Sequence, residues 1–378
     1  MTVTVLMVLD SMGAGGTETH VLSVGKPFAA KGAKLHVAGA DGPFHQEFVR
    51  AGFRVHLVEA ESQPLEARRD CRMKAFRQVM EREGVTIVHV HQTPSGLAAA
   101  SAARSLGIPV VFTMHGTYYP PGEALELAEM CDAIISVSKP VQGYWRTRGI
   151  ESSVISNGVD PEAFRPVEVQ HGTPRILEEI PQHATVVTYV SRLAWQKASV
   201  CNMVLRSTKS KLPELENVHI VVVGTGAQAH HVTELARALN KLKGERYIHI
   251  AGEQTDVRPF YARSDLVIGT GRVALEAMAC GKPVLAIGNH GYFGMVTPDV
   301  YSKAWDYYFG DHDSIEKPSP HLIAQSLRAA LRDRGSLKRI GAQAREWIAS
   351  EFAIEQKAGA ILDLYERVQN RKKGEERS

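Results

Sequence analysis

Short apolar runs recur along this chain and alternate with stretches of helical period. In the first half, Val3 to Leu9, Lys34 to Ala38, Arg54 to Val58, Ile87 to Val90, Val110 to Thr113, Ala133 to Val137 and Val154 to Ser156 read as strands. His20 to Lys31, Arg68 to Glu83 and Ser95 to Leu106 read as the helices between them. Prolines, Gly172 and polar residues mark Phe164 to His183 as a linker. The alternation then restarts with strands at Thr185 to Val190, His219 to Val223, Tyr247 to Ile250, Asp265 to Ile268 and Val284 to Ile287. Val257 to Ala262 is a short helical stretch, and Pro320 to Arg332, Gly335 to Phe352 and Ile354 to Asn370 are amphipathic helices with no strand after them. Strands alternating with helices imply parallel sheets covered on both faces. The expected fold class is therefore α/β, in two doubly wound halves.

Ser264 to Gly288 carries the densest chemical signal. A strand runs into Gly269-Thr270-Gly271, and a helix of good helix formers follows, from Arg272 to Cys280. Gly281 stops that helix and Pro283 prevents its resumption. A helix opening behind glycines points free N–H groups and partial positive charge outward, which suits a phosphate. Glu276 lies just over one turn in, among Ala274, Leu275, Ala277, Met278 and Ala279. An exposed helix carboxylate is the plainer alternative, but so apolar a setting calls for a partner. Arg192 and Lys197 flank a loop just past another strand and could neutralise a diphosphate. Taken alone, they would be read as solvated loop cations.

The first half has its own glycine loop, Met12 to Glu18, ahead of a helix. His115 follows a strand within MHGT and could hydrogen-bond a substrate or take a proton, although a loop histidine satisfied by backbone is commoner. His89 and His91 share a strand face, but no third ligand is evident, so no metal is expected. Gly224 to Ala229 fits G-x-G-x-x-A without an acidic residue at the end of the next strand, so the turn reads as structural or as a neighbour of a nucleotide base.

At 378 residues with 44% hydrophobic content, each half can bury a core. A net charge of +3 gives no argument for nucleic acid. Cys71, Cys131, Cys201 and Cys280 have no paired spacing, which points to reduced thiols and a cytoplasmic setting. No run reaches membrane-spanning length, and MTVTVLMVLD reads as a strand, not a signal peptide. Arg371-Lys372-Lys373 leaves room for peripheral contact with an anionic membrane face, though a solvated terminus explains it more simply.

As a set, GAGGTETHV, TMHGTYY, SVSKPV, ISNGVDPEAFRP, SRLAWQK, GTG and GRVALEAMACGKPV resemble the GT-B retaining glycosyltransferases of family 4. The resemblance implies two Rossmann-like domains facing a central cleft, at 1–167 and 168–352, with 353–378 a helix returning to the first. It implies a UDP- or GDP-sugar donor, no metal and no cofactor. The acceptor would be a glycan, a lipid-linked molecule or a small molecule. By this resemblance Arg192 and Lys197 hold the diphosphate, Glu276 the ribose, and Gly15 and Gly16 close over the donor phosphates. His115 lies near the donor sugar, and Gly269 and Gly271 present amides to phosphate. Gly224 belongs with the donor-binding set. The family's first motif glutamate falls at Ile268, which cannot accept a hydrogen bond; Arg272, in a usually apolar position, is read as compensating through phosphate or a charged sugar. Alternatives are a sugar-nucleotide epimerase or hydrolase of the same fold, or a sugar-nucleotide-binding protein weakened by Ile268. The aromatic segment 289–312 reads equally as a lid or a packing insert.

Overall fold

The computed structural model describes residues 3–13, 15–59, 65–167, 174–209, 217–288, 291–312 and 314–375. The chain divides into two compact units, Met1–Asp160 with Ala353–Ser378, and Pro161–Phe352.

The first unit holds strands β1 (Thr4–Ser11), β2 (Lys34–Ala40), β3 (Arg54–Leu57), β4 (Ile87–Val90), β5 (Val110–Met114), β6 (Ala133–Ser136) and β7 (Ser153–Val154). They form a parallel sheet in the order β3-β2-β1-β4-β5-β6-β7. Helices α1 (Gly16–Ala30), α2 (His45–Arg50), α3 (Leu65–Glu83), α4 (Ser95–Ser105), α5 (Pro121–Glu129) and α6 (Lys139–Arg146) connect them. The period-two pattern of β1 feeds both faces. Leu6 and Val8 join a core with Leu97 and Ala99 of α4. Val5, Met7 and Leu9 join another, with Val21, Val24 and Phe28 of α1. The same core takes Ile361 and Tyr365 from the last helix of the chain, Ile354–Glu375.

The second unit begins with α7 (Arg175–Glu178). It continues through β8 (Thr185–Val190), α8 (Trp195–Ser207), β9 (Val218–Val223), α9 (Ala229–Lys243), β10 (Ile248–Gly252), α10 (Arg258–Arg263), β11 (Leu266–Ile268), α11 (Gly271–Ala279), β12 (Val284–Ile287) and β13 (Tyr292–Met295). Helices α12 (Tyr301–Asp306), α13 (Pro320–Leu331) and α14 (Arg334–Glu351) complete it, and the Ile354–Glu375 helix is α15. The sheet order is β10-β9-β8-β11-β12-β13, parallel except for β13.

Two features differ from the sequence reading, and a third bears on an alternative it leaves open. The units meet at Asp160/Pro161, while residues 168–173, at the start of the expected second domain, lie outside the described residues. Much of the expected linker is anchored structure, because Leu177 and Ile180 are apolar and buried beside α7. The aromatic segment, apart from residues 289–290, which are outside the description, is packed. It supplies the edge strand β13, and Phe309 is fully buried near Trp347 and Phe352.

Candidate active site

In an open parallel sheet, ligands bind beyond the strand C-termini where the strand order reverses. In the second unit that point lies between β8 and β11. Arg192 follows β8, Lys197 sits in the first turn of α8, and Gly269 to Gly271 follow β11. The topology therefore brings together at one place the elements that the sequence reading linked to phosphate.

Arg192 is exposed and its side chain makes no ion pair among the described residues. Its loop is fixed through the backbone: Ser191 N donates to Val223 O (3.1 Å) and Leu193 N to Thr225 O (2.8 Å). Gly224, at φ +130°, lies so close that a Cβ would overlap Ser191 O. That contact makes Gly224 a support for the Arg192 loop, in line with the structural reading of this turn.

Lys197 occupies an unfavourable place for a cation, since the first turn of a helix carries partial positive charge. An anion answers it. Lys197 Nζ lies 3.0 Å from Asp311 Oδ1, and Thr270 Oγ1 donates to the same oxygen at 2.9 Å. Burial pushes the Asp311 carboxyl up, but Lys197 and His312, with the hydrogen bonds from Lys197 and Thr270, outweigh it and hold the group well below the usual carboxylate range. Gly271 opens α11 at φ +53°, and a Cβ there would stand 3.1 Å from both Asp311 Oδ2 and Tyr308 Cε1. Glycine takes that conformation without strain, and its missing Cβ leaves room for both neighbours.

Glu276 is buried, which excludes the exposed-carboxylate alternative. Its Oε1 accepts from Arg272 Nε (2.7 Å) and its Oε2 from Tyr261 OH (3.4 Å). Burial raises its pKa; Arg272 and Tyr261 recover only part of the shift. Arg272 thus faces Glu276 one turn on, where the sequence reading had pointed it at phosphate or sugar. Ile268 is fully buried within the core of β11, with Val187, Tyr189 and Leu285 in the same cluster.

The first unit shows the same logic at its own reversal, between β1 and β4. Gly15 caps α1 in extended conformation, while a Cβ on Gly16 would point into open space; Ala14 lies outside the described residues. His115 Nε2 lies 3.0 Å from His91 Nδ1. Met7 Sδ, 3.3 Å from His91 Nε2, can only accept, so the proton of His91 is assigned to Nε2 and its Nδ1 accepts from His115. Burial holds His91 neutral, with His89, His115 and His20 adding to the effect. Tyr119 OH accepts from His115 N (3.1 Å) and donates to His91 O (2.9 Å), which fixes the MHGT loop.

His89 is a satisfied core histidine, bonded to Tyr365 OH (2.5 Å) and Thr113 Oγ1 (2.7 Å). The view that no third imidazole joins His91 is corrected here. His20 of α1 brings its ring within 5.0 Å of His115 and 5.7 Å of His91, centroid to centroid. Ring nitrogens of all three lie within 4.8 Å of one another, a spacing an ion could use. Asp10, Gln92 and Glu18 extend the polar network: Gln92 Oε1 accepts from Asp10 N (2.7 Å) and its Nε2 donates to Glu18 Oε1 (2.9 Å).

Each of the two Rossmann-like units of this α/β protein gathers polar groups at its order reversal. The family comparisons specify its class. Residues 14–163 match the model described as Glycosyltransferase Family 4, and residues 177–347 match Glycosyl transferases group 1. The chain belongs to the family 4, group 1 glycosyltransferases and is a transferase. It is 28% identical to a D-inositol 3-phosphate glycosyltransferase of Xylanimonas cellulosilytica, over 96% of this chain and 95% of that one. It is 26% identical to the lipopolysaccharide core biosynthesis mannosyltransferase LpsB of Rhizobium meliloti, over 68% of this chain and 72% of that one. The fold is GT-B: a glycosyltransferase from Rickettsia africae superposes with TM-score 0.76 at 21% identity, covering 97% of this chain and 98% of the other. Anabaena HepE in complex with UDP and glucose gives 0.75 at 20%, covering 97% and 100%. Among the described residues no helix is long and apolar enough to cross a membrane.

Proposed function

We propose that this chain moves a sugar, with retention and without a metal, from a UDP- or GDP-linked donor to an acceptor hydroxyl on a glycan, a lipid-linked molecule or a small molecule. One observation carries the reading: Arg192, Lys197 and the N-terminus of α11 all follow strand ends at the order reversal of one sheet. The departing diphosphate gains negative charge in the transition state, and fixed cations and amides stabilise it there. Glu276 supplies acceptors for ribose hydroxyls. For the first unit, the reading assigns His115 to the donor sugar and Gly15 and Gly16 to the donor phosphates. The carboxylates of the second site are engaged, Asp311 by Lys197 and Glu276 by Arg272, which supports front-face substitution over a covalent intermediate. The relatives named for inositol phosphate and lipopolysaccharide core support hydroxyl-rich acceptors, and the HepE complexes support UDP. The absence of a disulfide among the four cysteines supports a cytoplasmic setting, with peripheral membrane contact as part of the same reading.

The test begins with thermal-shift measurements against UDP, GDP and their sugars, since a ligand of the folded form raises its melting point. Transfer assays then follow product anomer by NMR, with and without EDTA. Arg192→Ala and Lys197→Ala should each lower turnover more than tenfold. Near-normal turnover in both, an inverted anomer, or loss of activity with EDTA would each overturn the corresponding part.

A further inference from the structure

Asp311 puts a carboxylate where an incoming diphosphate would bring its own negative charge. Oδ1 accepts from Lys197 Nζ and Thr270 Oγ1, and Oδ2 lies 3.6 Å from His312 Nε2. The carboxylate also stands over Gly271, the first residue of α11. The turn that delivers it is built to stay in place. Tyr308, Phe309 and Gly310 follow one another in left-handed conformation, at φ 49°, 55° and 79°. Non-glycine residues hold such angles only where their surroundings impose them. Phe309 is fully buried, with ring centroids 6.0 Å from Trp347 and 6.3 Å from Phe352. The Gly310 carbonyl passes so near Gly288 that a Cβ at 288 would overlap it. This packed corner fixes the backbone that carries Asp311, and the hydrogen bonds from Lys197 and Thr270 hold the carboxylate in place.

We propose that Asp311 is a specificity-determining residue of the nucleotide site, a fixed internal anion that limits how much negative charge Lys197 and the mouth of α11 accept from a ligand. The inference rests on the diphosphate reading above. A nucleotide sugar has both terminal phosphate oxygens of its pyrophosphate esterified and carries about two charges; the nucleoside diphosphate left after transfer gains most of a third, because the second pKa of a phosphate monoester is about 6. Like charges held a few ångströms apart in a partly dry site repel strongly. Asp311 therefore penalises the spent nucleotide more than the donor and favours their exchange.

The test is calorimetry with a ladder of ligand charge at fixed low ionic strength: uridine, UMP and UDP, and the guanosine series in parallel. Asp311→Asn keeps the shape of the side chain and an oxygen that accepts from Thr270. It should bind UDP or GDP at least tenfold more tightly than wild type, the monophosphate with a smaller gain, and the nucleoside unchanged. Unchanged or weaker diphosphate binding by a variant that melts like wild type overturns the inference, as does an equal gain along the ladder. Wild type supplies a measurement that needs no variant: UDP-glucose or GDP-mannose should bind at least as tightly as the matching diphosphate, and a diphosphate preferred tenfold overturns the idea. A wild-type protein that binds neither diphosphate nor either sugar nucleotide overturns the diphosphate reading itself, and this inference with it.

Discussion

Replacing Glu276 by Gln separates two roles that one carboxylate could play. Glu276 is 7% exposed and bonded to Arg272 and Tyr261. Its folded pKa is raised by burial, so the sign of its pH effect is set. The stability associated with the protonated group is fully present below the unfolded value near 4.5, and is lost as pH rises through the higher folded value. Ionisation of Glu276 thus costs the folded state stability, which points to a role other than stability. Gln keeps the volume and still accepts from Arg272, so urea unfolding at pH 7 should change by only about 1 kcal/mol. The stability that Glu276 gives wild type as pH falls through its raised pKa should be absent from the variant. Binding should respond differently. A hydrogen bond from a ribose hydroxyl is worth about 1.5–3 kcal/mol to a charged acceptor and about 0.5–1.5 to the neutral amide oxygen, so each bond loses about 1–1.5 kcal/mol, and at 1.4 kcal/mol per decade the Kd for UDP or GDP rises about 5- to 12-fold. Calorimetry and urea titration on the same preparation decide the matter. If stability falls by more than about 3 kcal/mol, the cost of breaking a buried ion pair, while Kd is unchanged, then Glu276 only braces Arg272 and the ribose assignment is refuted.

Two further substitutions probe the supports of the sites. Gly224→Ala forces a side chain into Ser191 O at φ +130° and should cost about 1–3 kcal/mol in urea unfolding; an unchanged midpoint would remove Gly224 as a brace for the Arg192 loop. Tyr119→Phe strips partners from His91 O and His115 N, so stability should fall by about 1–3 kcal/mol, with a drop in kcat/KM if His115 serves the reaction; full activity with the stability loss would confine Tyr119 and its loop to structure.

The sequence made the strand C-termini legible because parallel strands leave apolar runs, and loop chemistry follows each run at once. Arg192, Lys197 and Gly269 to Gly271 stand in or just after such loops, and the apolar neighbours of Glu276 signal its need for a partner. What stayed hidden depends on distance along the chain. Asp311 meets Thr270 across 41 residues, with no period or motif connecting them. His20 reaches His91 and His115 only because α1 turns that face inward, and a helix reading alone does not choose the face. Arg272 pairs with its i+4 neighbour Glu276, and that spacing is the signal in the sequence that points to the bond. The left-handed Tyr308 and Phe309 break the rule that such angles belong to glycine, so no residue type announced that turn.

The placement of α15 bears on the order in which the molecule can be made. The first unit completes one of its cores with residues from Ile354 to Val368, and Tyr365 both packs on Phe28 and hydrogen-bonds His89. Residues 161–352, by contrast, are contiguous in the second unit. During synthesis from the N-terminus, the unit begun first is therefore finished last, and until α15 emerges from the ribosome its sheet presents the uncovered apolar face on which that helix will later close.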